Sequence, residues 1–251
     1  MSRIHLVGGE KGGVGKSTVT RLLAQEFIDR ELPFAGLDGD QSHGDLLRFY
    51  ADYTQPVDLQ DSASTDRVLL AAMEANQKVL VDLPAQSARA LKRWVDENDV
   101  LELARSLEIP VVVWHVMDDS RNSADLLNRF LDDYARDDGA SFVVVKNRGR
   151  GSDFSLFEKS GEQEAAEARG AKVIELPALD KHVMNRIDWL NLSFWAAGNL
   201  TEGECLGLLE RQRVKVWRKQ WQQQLEPISE LVFGPVSVNA ETNVVPFQSV
   251  A

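Results

Sequence analysis

The densest chemistry in the chain lies at residues 10–18, which read Glu-Lys-Gly-Gly-Val-Gly-Lys-Ser-Thr. Glycines at 12, 13 and 15 let successive backbone N–H groups turn inward and form a nest for anion oxygens. An apolar run at 4–7 precedes the loop, and helical spacing begins at Lys16. The helix therefore points its positive N-terminal end at the same anion. Lys16 can reach the β/γ-phosphates of a nucleotide there, and Ser17 can place its hydroxyl on Mg²⁺. Gly12, Gly13, Val14, Gly15, Lys16, Ser17 and Thr18 make up the candidate phosphate loop. A glycine-rich turn without a ligand is the bland alternative, and the strand-before, helix-after context argues against it.

Phosphoryl chemistry also needs carboxylates to hold a metal and orient a water. Asp38, Asp40 and Asp82 each follow a short apolar run read as a strand. In open parallel sheets, ligands sit beyond the carboxyl ends of such strands. Each acid could instead cap a turn or a helix, where Asp is common. The four histidines, His5, His43, His115 and His182, show no helical ligand spacing. No metal beyond Mg²⁺ is expected, and no Ser-His-Asp or Cys-His arrangement stands out.

These residues need elements to hold them. Strands are expected at 3–8, 34–37, 79–81, 111–116, 142–145 and 172–176. Helices are expected at 16–30, 44–51, 68–75, 87–107, 122–135 and 156–169, with 52–64 a loop. Near-continuous apolar strands separated by helices indicate an α/β fold with a doubly wound, mostly parallel sheet and helices on both faces.

The chain's 251 residues fit one large domain, expected over 1–233. A loose tail is expected over 234–251, where Gly, Pro, Ser and Asn show no clear period. Hydrophobic residues make up 43% and charged residues 27%, which is the composition of a globular protein. No stretch approaches the ~20 apolar residues of a membrane span. With one cysteine, Cys205, and no export signal, a cytoplasmic location is expected. The net charge of −11 argues against a protein that coats DNA with its whole surface.

A long helix is expected at about 202–230. It gathers Arg211, Arg213, Lys215, Arg218 and Lys219 beside an apolar stripe of Val214, Trp217, Trp221, Leu225 and Ile228. Three readings stay open. The stripe packs on its own domain with a solvated basic face; the patch binds nonspecific DNA or a partner; or the helix lies on a membrane. The run Gln222–Gln224 weakens the last.

The run Lys11-Gly12-Gly13-Val14-Gly15-Lys16-Ser17 resembles the deviant Walker A motif of the ParA/MinD family of P-loop ATPases. Leu37-Asp38-Gly39-Asp40 is similar to that family's Asp-x-Asp switch, and Val81-Asp82-Leu83-Pro84 to its Walker B stretch. The resemblance implies an ATP-dependent homodimer in which Lys11 reaches the partner's ATP phosphates. It further implies that Asp40 orients the attacking water, Asp38 supports the metal shell and Asp82 holds Mg²⁺. Asn147 would read the adenine edge, and the loop at Pro177 would close over the base. An ordinary polar turn at Asn147 and a surface lysine at 11 are the alternatives. Two departures stand out: Gln41 and Ser42 follow the switch acid where the family has Pro then Gln, and Ala85 replaces the second Pro of Walker B. Residues 4–7 and 211–216 also look like ParA-like proteins encoded in plasmid transfer and mobilisation regions.

The expected function is a weak Mg²⁺-dependent ATPase, a positioning or partition switch for plasmid or other DNA, with an activating partner protein. A metabolic P-loop kinase or amide ligase, and an ATP-binding interaction module, are the alternatives.

Overall fold

The computed structural model describes residues 1–41, 44–74, 76–134 and 139–235. Ser42, His43 and the expected tail from 236 onward lie outside the described residues. Among the described residues there are seven strands: β1 Arg3–Gly8, β2 Phe34–Asp38, β3 Thr54–Pro56, β4 Lys78–Asp82, β5 Val111–Met117, β6 Ala140–Asn147 and β7 Lys172–Leu176. They form one sheet in the order β3-β2-β4-β1-β5-β6-β7, and every pairing is parallel. The sheet is thus wholly parallel, where the sequence reading allowed an exception.

Among the described residues, twelve α-helices cover it. After β1 comes α1 Lys16–Asp29, and after β2 comes α2 Asp45–Phe49. Next are α3 Ser62–Glu74, α4 Ala88–Glu97, α5 Val100–Ser106, α6 Arg121–Tyr134, α7 Ser155–Lys159 and α8 Glu162–Ala168. The C-terminal part holds α9 Lys181–Trp189, α10 Phe194–Asn199, α11 Leu208–Leu225 and α12 Ser229–Phe233. Strand residues alternate between two apolar layers, as the period-two geometry of a strand requires. Ile4, Leu6, Val111 and Val113 face the layer built with α3 to α8. Val7, Val112, Trp114 and Val116 face the layer built with α1, α2 and α9 to α12.

β1 lies between β4 and β5, so the chain works outward to one side through β2 and β3 before crossing to β5, β6 and β7. The loop after β1 therefore opens at the topological switch point, where open α/β sheets bind ligands.

The apolar stripe of α11 is spent on the protein's own core. Val214, Trp217, Trp221 and Leu225 are buried, as is Ile228 just beyond the helix. Trp217 Nε1 donates to the Pro177 carbonyl at 2.7 Å, fixing the helix to the loop after β7. Full burial of each aliphatic side chain stabilises by roughly 1.5–3 kcal/mol, so this face is not available to a lipid surface. The first of the three readings accounts for the stripe. The helix starts at Leu208, later than expected. Among the described residues, no helix is long and apolar enough to cross a membrane.

Candidate nucleotide-binding site

The loop between β1 and α1 is shaped by close backbone approaches. At Gly9, φ is 147° and a Cβ would lie 2.6 Å from the Val116 carbonyl oxygen. At Gly15, φ is 97° and a Cβ would lie 2.2 Å from Asn147 Nδ2. Only glycine fits at either position. Gly15 also caps α1 without a side-chain acceptor, so the first-turn N–H groups stay directed at the loop.

Lys16 is 8% exposed and its Nζ donates to the Lys11 carbonyl at 3.2 Å. Burial pulls its pKa down, against the charges of Asp82, Glu10 and Asp40. A desolvated ammonium inside an anion nest is suited to phosphate oxygens, which would replace the water it has lost.

Asp82 ends β4, with only 1% of its surface exposed. One carboxylate oxygen accepts from Thr20 Oγ1 at 3.0 Å, and the other is buried without a hydrogen-bond partner. Burial and the neighbouring Asp38 push its pKa up to about 7, while Ser17, Thr20 and Lys16 act in the opposite direction. An orphaned carboxylate oxygen beside a P-loop serine suits a hard divalent cation, which takes oxygen ligands. Ser17 and Asp82 therefore fit Mg²⁺. No group of three or more potential metal-ligating His, Cys, Asp or Glu side chains occurs among the described residues.

Asp38 sits beside Asp82 in the β2–β4 register. Its Oδ1 accepts from the Asp40 N–H at 3.0 Å and its Oδ2 from the Leu47 N–H at 2.9 Å. The two oxygens thus join the end of β2 to Asp40 and to α2, and burial raises the pKa. The intervening glycine is also constrained: a Cβ at Gly39 would lie 3.0 Å from both the Asp82 carbonyl oxygen and Pro84 Cδ. Asp40 is half-buried and lines a 620 Å³ cavity together with Asp38, Gln41, Arg48, Asp58 and Arg67.

Lys11 is engaged within its own chain. Its ammonium is paired with the Asp118 carboxylate and donates to Ser120 Oγ at 2.9 Å. Asp118 also accepts from Ser120 Oγ at 2.7 Å and from Ser123 Oγ at 2.6 Å. Partial burial pushes the Asp118 pKa up, but Lys11, Ser123 and Ser120 more than reverse this and hold it at about 2. The sequence reading missed Asp118. Its only signal is its place in the Asp118-Asp119-Ser120 turn directly after β5.

Asn147 closes β6 beneath the loop. Its Nδ2 donates to the Val14 carbonyl at 2.7 Å and its Oδ1 accepts from the Gly149 N–H at 2.9 Å. One donor and one acceptor of the amide are thus engaged with the protein, leaving its second N–H and second lone pair. Pro177 lies at the end of β7, its carbonyl held by Trp217. Replacing Asn147 with alanine should destabilise the nucleotide-free protein by about 1–3 kcal/mol, because it strands a buried carbonyl. Chemical denaturation of the variant checks this. Unchanged stability would leave base recognition as the residue's only role.

The sheet order and the glycine-rich loop after β1 define a P-loop fold, and the solved structures it resembles share that fold. The MinC:MinD cell division complex of Aquifex aeolicus superposes with a TM-score of 0.55, covering 88% of this chain and 96% of that one at 11% identity. A putative plasmid partition protein of Borrelia burgdorferi B31, bound to AMPPNP, gives 0.51, covering 88% and 100% at 12% identity. The fold is that of the MinD- and ParA-type ATPases.

Among curated proteins, the chain is 26% identical over 232 residues to Protein MobD of Acidithiobacillus ferrooxidans, covering 90% of this chain and 97% of MobD. It is 25% identical over 242 residues to a Protein TraL of Escherichia coli, covering 92% and 100%. No protein-family model matches the chain.

Proposed function

We propose that this chain is a Mg²⁺-dependent ATPase that dimerises on ATP and serves as a switch in plasmid mobilisation, transfer or positioning. One observation carries the reading: two lysines share the phosphate loop, Lys16 buried inside it and Lys11 at its mouth on an exchangeable partner. An ordinary P-loop enzyme needs only the first. The process is supported by full-length similarity to proteins named MobD and TraL, and the switch by the fold.

In this mechanism the loop N–H groups and Lys16 bind the β/γ-phosphates. Ser17 and Asp82 would hold Mg²⁺, which would supply neutralising charge to the phosphates. Asp40 accepts a hydrogen bond from the attacking water, while Asp38 holds the loop that carries Asp40. Asn147 keeps the phosphate loop in shape from below, and Pro177 borders the base. Lys11 leaves Asp118 to contact the second subunit's ATP. Of the five basic residues on α11, Arg218 pairs with Asp29 and Arg211 donates to the Leu206 carbonyl. Arg213, Lys215 and Lys219 stay exposed and are the candidates for a salt-sensitive contact with DNA.

Sedimentation of three variants with ATP–Mg²⁺ tests the reading. Asp40→Ala should accumulate as a dimer, because water attack is slowed. Lys11→Ala should stay monomeric. Asp118→Ala, which frees Lys11, should dimerise at several-fold lower ATP concentration. Dimerisation of Lys11→Ala at the wild-type ATP concentration would remove the switch mechanism.

A second reading rests on the cavity beside Asp40. Its Arg48 and Arg67 could accommodate an anionic small molecule, as a metabolic kinase or ligase requires. ATP turnover that depends on an added metabolite would favour it.

A further inference from the structure

Arg3 opens β1 and Lys78 opens β4, and the two are partners in the parallel ladder. Both are buried, each 6% exposed. Arg3 Nη1 donates to the Leu231 carbonyl and Lys78 Nζ to the Met1 carbonyl, each at 2.7 Å. Arg3 Nε is buried with no hydrogen-bond partner. No carboxylate among the described residues lies within ion-pair distance of either side chain, and the charge of Glu230, which acts on Arg3 from farther off, does not offset the effect of its burial. The next residue on that face of β1, His5, is fully buried and offers no negative charge. Buried cations are normally paired, because removing an unpaired charge from water costs several kcal/mol. Burial together with Arg3 pulls the Lys78 pKa down to about 8.

The two cations converge on one point. A Cβ built at Gly234 would lie 3.7 Å from Arg3 Nη2 and 3.7 Å from Lys78 Nζ. Gly234 has φ of 82°, in the left-handed region that favours glycine, so this space carries no side chain. We propose that Arg3, Lys78 and Gly234 form an oxyanion-binding site at the foot of the sheet, which takes a single carboxylate or phosphate group. The guanidinium supplies a planar fork of donors and the ammonium a mobile point charge, and both suit an oxyanion.

The site stands apart from the phosphate loop. All strands are parallel, so their starts face away from the nucleotide end, roughly 17 Å distant along β1 at about 3.3 Å per residue. Two sources can supply the group. One is a free oxyanion. The other is Glu241, the one acidic side chain in 235–251, a few residues beyond Gly234 in sequence.

Thermal unfolding of the full chain, in phosphate against chloride at equal ionic strength, tests the site. Saturating ADP–Mg²⁺ keeps phosphate off the P-loop, and any residual effect there is common to all variants. If the source is free, the wild-type midpoint should rise by about 4 °C as phosphate increases, and Lys78→Met should not respond. If the source is Glu241, wild type should be insensitive, Glu241→Gln should respond, and the Lys78→Met, Glu241→Gln double variant should not. Arg3→Gln serves as the second variant should Lys78→Met not fold. The site is refuted if neither wild type nor Glu241→Gln gains more from phosphate than its Lys78→Met or Arg3→Gln counterpart.

Discussion

Lys16→Ala should bind ATP–Mg²⁺ at least about a hundredfold more weakly than wild type, yet unfold at the same temperature or slightly higher without nucleotide. The loss in affinity follows from the two charge-assisted hydrogen bonds that an ammonium can give to β- and γ-phosphate oxygens. Such bonds contribute roughly 1.5–3 kcal/mol each, and 1.4 kcal/mol is about a tenfold change in affinity. The preserved stability follows from the surroundings of the ammonium. Here the ammonium is buried, its one protein acceptor is the Lys11 carbonyl, and its pKa is pulled down by desolvation. Truncation therefore removes a charge that the protein alone holds at a desolvation cost. Lys11 does not replace it, because its ammonium rests on Asp118 and Ser120 at the mouth of the loop and, in the proposed switch, turns to the second subunit's ATP rather than its own. Calorimetric titration and thermal unfolding of the same preparation give both readouts. Wild-type nucleotide affinity in this variant would show that phosphate binds elsewhere.

What the sequence disclosed about this site depended on how local each signal is. The glycine-rich loop between β1 and α1 was legible as a loop, because its glycines, its lysine and the flanking strand and helix are contiguous. Asp38 and Asp82 were legible at their strand ends as well, since each closes a short apolar run, with Asp40 two residues beyond β2. Asp118 was not. It becomes meaningful only when folding brings the turn after β5 against Lys11, which lies 107 positions away in the chain. The double engagement of Asn147 was hidden for the same reason, because its partner carbonyl belongs to Val14.

Element boundaries failed where single residues interrupt a period. The expected helix at 87–107 is two helices, broken where Asp99 adopts φ of 48°, and the one at 156–169 is broken at Gly161, with φ of 83°. β3 is a three-residue edge strand ending in Pro56, too short to show alternation. α9 did leave a signal that went unread: Asp180 caps it by accepting from the Val183 N–H, and Val183 and Ile187 stand four apart on its buried face.

Below pH 6.5 the wild type should lose stability relative to His5→Gln, by roughly 3 kcal/mol at pH 4. His5 is fully buried between Phe27 and Trp114, and its Nδ1 accepts from Trp114 Nε1 at 3.2 Å. Burial, then Arg3 and Lys78, hold its pKa down to about 3. A histidine depressed in the folded state binds its proton preferentially in the unfolded chain. Its stabilisation is complete above about pH 6.5 and falls away as the pH drops toward 3, by about 1.4 kcal/mol per pH unit. His115, also buried and held at about 4, loses stability in the same direction. Asp82 acts oppositely: its raised pKa means that protonation between about pH 7 and 4 favours the folded state. A single acid curve would therefore mix the contributions, whereas the difference between wild type and His5→Gln isolates one. Glutamine keeps an acceptor for Trp114 but loses ring contact with Phe27, so the variant should be the less stable protein at pH 7. Denaturant titrations at several pH values should show the gap shrinking as acid is added and then reversing. Parallel curves from pH 7 to 4 would mean that His5 protonates in the folded protein without penalty, and that the foot of the sheet admits water or an anion far enough to reach it.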